Sequence, residues 1–468
     1  MNDVSVNRPA GGDIAVIVPG ILGSTLVRGD RRVWGYRQVF RSVHRLGSRL
    51  TQDLSLPAAA FADPSAGHDD GVRADGSLKS LAIIPGFVAM DGYDRLVGAL
   101  RKRFTGDLES VHEFCYDWRQ SNEYSAERLR DFVQKLLRRR RATVPDARVV
   151  LIGHSMGGLV ARFYAECLDE QRDVRRVVTI GTPFRGSVKA LTVLANGFVR
   201  LGPVKFSLGE LARSLPSVAE LLPMYDCLGS SPDRLGPLTD GTGASAVPGL
   251  PAVALARSRD FHQRMERAVA ANGDDRPTYH TLLSHWQTTD LWALVDDNGE
   301  TRAQPSKGYE NGGDGTVPRC SASPPEWADD AGAVFIAGKH AALQQQRETL
   351  VQLRGVLTAR PRQAQAMLDG VSVEASPYAE VGEEWRVTAS SVEGSDGLPL
   401  VLTVVDPEDA VERPPLVEHL MRPTGRGSYT AVVRLPRGGL FRWTVATPLT
   451  AANPVDPVSD VVFCAEEA

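Results

Sequence analysis

The stretch Arg148-Val149-Val150-Leu151-Ile152-Gly153-His154-Ser155-Met156-Gly157-Gly158-Leu159-Val160-Ala161-Arg162-Phe163-Tyr164 decides how the rest of the chain is read. Its β-branched and apolar start predicts a buried strand, and the run after the glycines predicts a helix. Gly153 and Gly157 flank Ser155 in the pattern Gly-x-Ser-x-Gly. A strand that turns abruptly into a helix leaves no room for side chains two positions either side of its apex, so the serine hydroxyl is pushed out at the carboxyl end of the strand. The Met156 amide, at the start of the helix, then points towards any oxyanion formed there, which is the geometry of acyl transfer. A tight turn carrying an ordinary serine would explain the glycines but not what surrounds them.

Upstream, Asp13-Ile14-Ala15-Val16-Ile17-Val18-Pro19-Gly20-Ile21-Leu22-Gly23-Ser24 is an apolar strand running into a glycine-punctuated loop. A loop after an early strand is where a second oxyanion donor is expected. That donor is assigned to the Leu22 amide, with Ile21 as the alternative and otherwise a substrate-binding position. An ordered piece from Leu81 leads into an amphipathic helix over Tyr93 to Phe104. Val111 to Cys115 predicts a strand, followed by Tyr116-Asp117-Trp118-Arg119, and a helix from about Ser125 to Arg141 precedes the serine strand. Strand and helix in alternation are the signature of a mostly parallel sheet.

Downstream, Val174 to Ile180 predicts the next strand, ending in Gly181-Thr182-Pro183. From about residue 187 to 277 the alternation lapses into apolar stretches, Ala190 to Leu201 and Leu208 to Leu222, expected to be helices of a cap over the active face. Thr278 to Leu283 is expected to return to the sheet. Asp314 follows in the glycine-rich loop Gly312-Gly313-Asp314-Gly315-Thr316-Val317-Pro318, where a carboxylate can be aimed at an imidazole. Ala333 to His340 predicts a last strand delivering His340 at its carboxyl end. The order Ser155, Asp314, His340 is that of α/β-hydrolase catalytic triads. His285 is the strongest rival base, and Asp290, Asp296 and Asp297 compete as the acid. His154 adjoins the nucleophile but is expected to point away from it.

At 468 residues the chain exceeds one core of typical size, so one large and one small domain are expected. A net charge of -4 gives no pull towards nucleic acid. The basic run Arg138 to Arg141 suits a helix end. Met1 to Gly12 lacks a basic leader and an apolar core, and five scattered cysteines show neither disulfide pairing nor metal-ligand spacing. A cytoplasmic protein with no metal and no organic cofactor is the expectation, and no stretch approaches the roughly 20 apolar residues of a membrane span, so any membrane contact is peripheral. After the linker Arg360-Pro361-Arg362, short runs with alternating polarity separated by Gly and Pro predict an immunoglobulin-like β-sandwich. The division is residues 1–360, an α/β-hydrolase catalytic domain with a cap insertion at about 187–277, and residues 361–468, a sandwich that is either a protein-partner module or a stabilising appendage.

With these residues placed, the chain resembles the lecithin:cholesterol acyltransferase family, which includes lysosomal phospholipases and bacterial relatives. The resemblance runs over roughly residues 13 to 357. It rests on Val18 to Ser24, Tyr116-Asp117-Trp118-Arg119, Gly153 to Gly158, Leu215-Pro216-Ser217-Val218 with Leu221-Leu222-Pro223, Gly313 to Pro318, and His340. It implies a phospholipase A or acyltransferase acting on lipid esters with Ser155, Asp314 and His340 as triad. It also implies that Tyr116 to Arg119 is structural or lines the site's edge, Asp117 not being catalytic. Animal members are secreted or lysosomal and disulfide-linked, and this chain departs from them in showing neither signal nor paired cysteines. A soluble carboxylesterase for small non-lipid esters and a catalytically idle binding scaffold are the competing expectations.

Overall fold

The computed structural model describes residues 12–466 except 36–49, 80–81, 85–87, 91, 104–109, 202–203, 208, 240–245, 307–311, 328–331, 359–369, 392–393, 395, 407–413, 449–450 and 452–454. The expected linker at Arg360 to Arg362 lies outside the described residues. The central sheet has six strands: β1 (Ile14–Val18), β2 (Val111–Glu113), β3 (Val149–His154), β4 (Val174–Ile180), β5 (Thr278–Leu283) and β6 (Ala333–Phe335). They lie in the order β6-β5-β4-β3-β1-β2, and every neighbouring pair is parallel.

Alternation along each central strand serves two cores. Ile14, Val16 and Val18 of β1 and Val149 and Leu151 of β3 face one of them, while Ala15, Ile17, Val150 and Ile152 face the other. A strand buried on both faces reads as a continuous apolar run, which is why β1 has no polar position and β3 has one only at its last residue, His154. Helices α1 (Asp94–Arg103) and, later in the chain, Arg347–Thr358 cover the second face through Leu96, Val97, Leu100 and Leu353. On the first face lie α2 (Asn122–Arg140) and α3 (Met156–Phe163), with Leu129, Val133 and Leu137 packed beside Leu159, Val160 and Phe163. Each such side chain fully buried is worth about 1.5–3 kcal/mol. Ser121 caps α2 by accepting from the Tyr124 amide at 3.0 Å, and Arg138, Arg139 and Arg140 occupy its last turn, where they oppose the helix dipole.

The sheet turns over its chemistry at one edge because every strand ends there. From β1 the chain goes to β2 on one side and to β3 on the other, so the loops after β1 and β3 diverge at a switch point.

One reading of the intervening chain is corrected. The helix expected through Leu201 is α4 (Val188–Asn196), and it stops at Gly197, whose φ of 71° is the left-handed helix terminator. Phe198–Leu201 instead pairs antiparallel with Val204–Ser207 as a hairpin. Between β5 and Asp314, Thr289–Val295 and Thr301–Ser306 form a four-stranded sheet with Leu228–Gly229 and Leu235–Gly236. The stretch between β4 and β5 also carries the helix α5 (Ala252–Asn272).

The C-terminal part is a sandwich of two mainly antiparallel sheets. One joins Val371–Ala375, Glu384–Ser391, Ser428–Arg434 and Arg422–Gly425; the other joins Tyr378–Glu380, Val458–Ala465, Gly439–Ala446, Val401–Val405 and Val417–Leu420. Trp385, Val387 and Ala389 point inward on alternate positions, and Trp385 meets Trp443 edge-on with ring centroids 6.3 Å apart. Ala337 and Trp286, from the loops after β6 and β5, belong to the same core, so the sandwich packs directly on the carboxyl edge of the central sheet.

Candidate active site

Ser155 lies between β3 and α3 with φ 53° and ψ -127°, a conformation that a non-glycine residue adopts only under constraint. The constraint is visible. Its amide donates to the Ile180 carbonyl at 2.9 Å and its carbonyl accepts from the Gly158 amide at 2.9 Å. A Cβ on Gly157 would collide with the carbonyl oxygens of Val18 and Pro19, so glycine there lets the start of α3 sit against the end of β1.

The structure brings Ser155, Asp314 and His340 together. His340 Nε2 is 2.8 Å from Ser155 Oγ, and His340 Nδ1 is 2.6 Å from Asp314 Oδ2. The other carboxylate oxygen accepts from the amides of Thr316 at 2.9 Å and Val317 at 2.7 Å, and the His340 amide donates to the Asp314 carbonyl at 2.8 Å. All three side chains are buried. With the carboxylate able only to accept, Nδ1 carries the proton and Nε2 is left to accept from the serine hydroxyl.

Gly181 follows β4, where the sequence marks only the end of a strand. Its φ is +57°, and a Cβ there would stand 3.0 Å from Asp314 Oδ2 and 3.2 Å from His340 Nδ1, so the position leaves the acid–base pair its room.

The rivals lie elsewhere. His285 packs against Trp286 and Phe335, with ring centroids 4.3 and 4.4 Å away. Burial raises the Asp290 carboxyl, with Lys189 opposing, and Asp296 spends Oδ1 on the amides of Asn298 and Glu300. Asp297 is exposed in the same turn.

The loop after β1 is a turn closed by the Gly23 amide on the Gly20 carbonyl at 3.0 Å, with Leu22 at φ 68°. The Gly20 amide is taken by Tyr93 Oη at 2.9 Å, and the Leu22 carbonyl accepts from Trp34 Nε1 at 2.8 Å. Among the described residues no protein acceptor engages the amides of Ile21 and Leu22, the two expected to face the site.

Tyr116 to Arg119 braces this loop. Tyr116 Oη donates to the Pro19 carbonyl at 2.9 Å and Trp118 Nε1 to the Ser24 carbonyl at 3.1 Å. The fully buried Arg119 is clamped by Asp117 at 2.7 Å and by Asp70 at 2.8 Å. Asp117 is thus spent on Arg119. Ser217, from the Leu-Pro-Ser-Val block, donates to the Arg119 carbonyl at 3.4 Å, and Glu220 accepts from the Asn122 amide at 2.7 Å. The two blocks are therefore one packing unit. Sequence reasoning found them as motifs but missed Asp70, which lies in a polar loop with nothing to distinguish it.

No curated protein matches the chain. Residues 72–237 match the lecithin:cholesterol acyltransferase family. Among solved structures the chain is similar to a lipase of Bacillus licheniformis in its propeptide form, at 12% identity over 98% of this chain and 94% of that one, with a TM-score of 0.31. The mature form of that lipase gives 14% identity over 75% and 95%, TM-score 0.31. The phospholipase PlaB of Legionella pneumophila, in complex with thio-NAD, gives 11% over 97% and 92%, TM-score 0.24. The matched segment holds the Tyr116 to Arg119 block, the serine elbow and the Leu215 to Pro223 block, and the mostly parallel sheet with its flanking helices and the β-sandwich behind it is the architecture of an α/β-hydrolase with an added C-terminal β-domain.

Proposed function

We propose that this chain is a serine-dependent hydrolase or acyltransferase acting on lipid esters. The family match supports acyl-ester chemistry on lipids. The single observation that carries the serine mechanism is His340 lying 2.8 Å from Ser155 Oγ and 2.6 Å from Asp314.

Ser155 Oγ attacks the ester carbonyl as His340 Nε2 takes its proton. Asp314 holds the imidazole in the required tautomer and stabilises its charged form. The amides of Leu22 and Met156 receive the oxyanion, and loss of one such donor costs about 3 kcal/mol in the transition state. When the carbonyl re-forms, the C–O bond to the leaving alcohol breaks and His340 returns the proton to that oxygen. The acyl-serine passes to water or to an acceptor alcohol by the same steps reversed. Ile21 is assigned to the substrate side of the oxyanion loop. The residue 1–360 unit is the catalytic domain with its cap at about 187–277, and the sandwich from 361 is a separate, immunoglobulin-like domain. Among the described residues no helix is long and apolar enough to cross a membrane, and a peripheral contact of a cytoplasmic protein with lipid is the arrangement we assign.

Mass spectrometry of a lipid extract incubated with wild type and with Ser155→Ala tests the reading. Products that appear only with wild type are expected, together with fluorophosphonate labelling of Ser155. Equal turnover by the variant overturns the mechanism, and hydrolysis of monomeric short esters without any action on vesicles replaces the lipid substrate by a small one.

A further inference from the structure

His154 fills the variable position before the serine in the Gly-x-Ser-x-Gly elbow and Tyr93 stands just before α1, and neither takes a step in the mechanism above. Both are fully enclosed beside the nucleophile: Tyr93 is 0% and His154 1% exposed. Tyr93 Oη is 2.9 Å from the Gly20 amide and 2.8 Å from His154 Nδ1, and His154 Nε2 is 3.3 Å from the carbonyl oxygen of His340. The two imidazole rings lie 5.3 Å apart.

The donors fix one direction through this chain. An amide can only donate, so Tyr93 Oη accepts from Gly20 and has its own hydrogen to give to His154 Nδ1. Nδ1 therefore accepts, the ring proton sits on Nε2, and that N–H donates to a carbonyl that can only accept. Each polar group is satisfied with no charge in the chain, as a fully enclosed network requires. Burial, and after it the neighbouring His340, push the His154 pKa down to about 3, so this ring stays neutral while His340 becomes charged.

The ends of the chain decide what it does. Gly20 opens the loop whose next amides face the oxyanion, and a Cβ on Gly20 would stand 2.9 Å from Ser155 Cβ. Tyr93 holds the same loop a second time, through its amide on the Leu78 carbonyl and the Leu78 amide on Gly23, at 2.9 and 2.8 Å. His340, at the other end, has its own amide tied to Asp314. The backbone next to the nucleophile is thus tied through one ring to the oxyanion loop and to the base loop. We propose that Tyr93 and His154 are positioning residues that hold the oxyanion loop and the His340 loop in one register across Ser155. The inference rests on the acyl-transfer reading of that site.

Tyr93→Phe keeps the ring and removes the bridging oxygen. It is expected to lower kcat on a p-nitrophenyl ester by about 10-fold or more with KM within about 2-fold, since small misplacements at a reacting centre fall on the chemical step. Labelling of Ser155 by a fluorophosphonate should slow in parallel, with a melting curve that remains cooperative. His154→Asn leaves an acceptor near Nδ1 but lets go of the His340 carbonyl, and should cost a similar factor. If the residues act as one chain, the double variant loses far less than the product of the single losses. In wild type, 15N NMR should show His154 as the Nε2–H tautomer, a readout that does not depend on turnover or on how well either variant folds. Wild-type kcat and labelling rate in a folded Tyr93→Phe protein, multiplicative losses in the double variant, or an Nδ1–H tautomer would each overturn the inference. Failure of the underlying reading shows separately, as wild-type turnover that survives Ser155→Ala.

Discussion

The central sheet and the C-terminal sandwich spend the same material, short apolar strands, in opposite ways. In the sheet all six strands are parallel, so every carboxyl end reaches one edge, and Pro19, Ser155, Gly181 and the loops bearing Asp314 and His340 gather there. In the sandwich most neighbours are antiparallel, so successive loops leave from opposite ends and cannot gather. Parallel order concentrates functional groups; antiparallel order makes a stable body. The sandwich still reaches the chemistry, through its flank. Gln287 exchanges backbone hydrogen bonds of 2.9 and 3.0 Å with Gly313, the neighbour of Asp314. Its side chain is held by Val371 and Val373 of the sandwich at 3.4 and 3.2 Å. Lys339, the neighbour of His340, pairs with Asp460 at 3.5 Å and lies over the Trp443 ring.

The comparison breaks most sharply at the sheet edge. Ser155→Ala is expected to cut kcat by about 10⁵–10⁶-fold while the thermal transition stays within a degree or two of wild type. Asp314→Asn should cost about 10⁴-fold, because the imidazole then takes the wrong tautomer, and steady-state kinetics on a soluble ester would read both. A residual rate within tenfold of wild type for either would remove the edge as the seat of the chemistry. The sandwich should answer in the other currency. Trp443→Ala opens a cavity in a closed core and is expected to destabilise by about 3–5 kcal/mol in urea unfolding. Ser155 should still label with fluorophosphonate below the new transition, and a folded variant that no longer labels would mean the sandwich does more than support.

Gln287→Ala tests that middle ground. It leaves the backbone of residue 287 to hold Gly313 but frees the Val371 carbonyl and Val373 amide from the loop that leads to Asp314. A kcat loss of about 10-fold with KM unchanged is expected if the sandwich helps aim Asp314. Kinetics identical to wild type would reduce the flank contact to packing.

Much of this arrangement could be read from the chain because the deciding signals are local. An apolar strand such as Ile14–Val18, a glycine two residues either side of a serine, an aspartate set among glycines and a histidine soon after an apolar run are each visible within about ten residues. Gly197 was just as local a signal, and it ended the helix that the apolar content of Phe198 to Leu201 suggested should continue. The accessory sheet was illegible for a different reason: two of its strands are two residues long and carry no period, and another contains Pro305. Tyr93 and His154 meet across 61 residues, and the Asp70 carboxylate reaches Arg119 across 49. No spacing encodes such pairs; only the folded sheet brings them together.

The Asp70–Arg119 clamp gives the mildest way to sharpen the comparison, since it holds the block that braces the loop after β1, much as Gln287 holds the loop that carries Asp314. Burial works to raise the Asp70 carboxyl, but hydrogen bonding and charge from Arg119, helped by Arg28 and the Val72 amide, outweigh it and bring its pKa from an ordinary 3.8 to about 2. A carboxylate depressed in the fold contributes stability that is complete above its unfolded value and is lost as pH falls through the folded one. Wild type should therefore lose stability between about pH 4 and pH 2 partly through this group, while Asp70→Asn, already lacking the charge, should show a flatter acid limb and a lower melting temperature at pH 7. Circular dichroism melts at stepped pH would read this. The partly open position of Asp70 keeps the difference small, and superimposable acid limbs would mean that Asp117 alone satisfies Arg119.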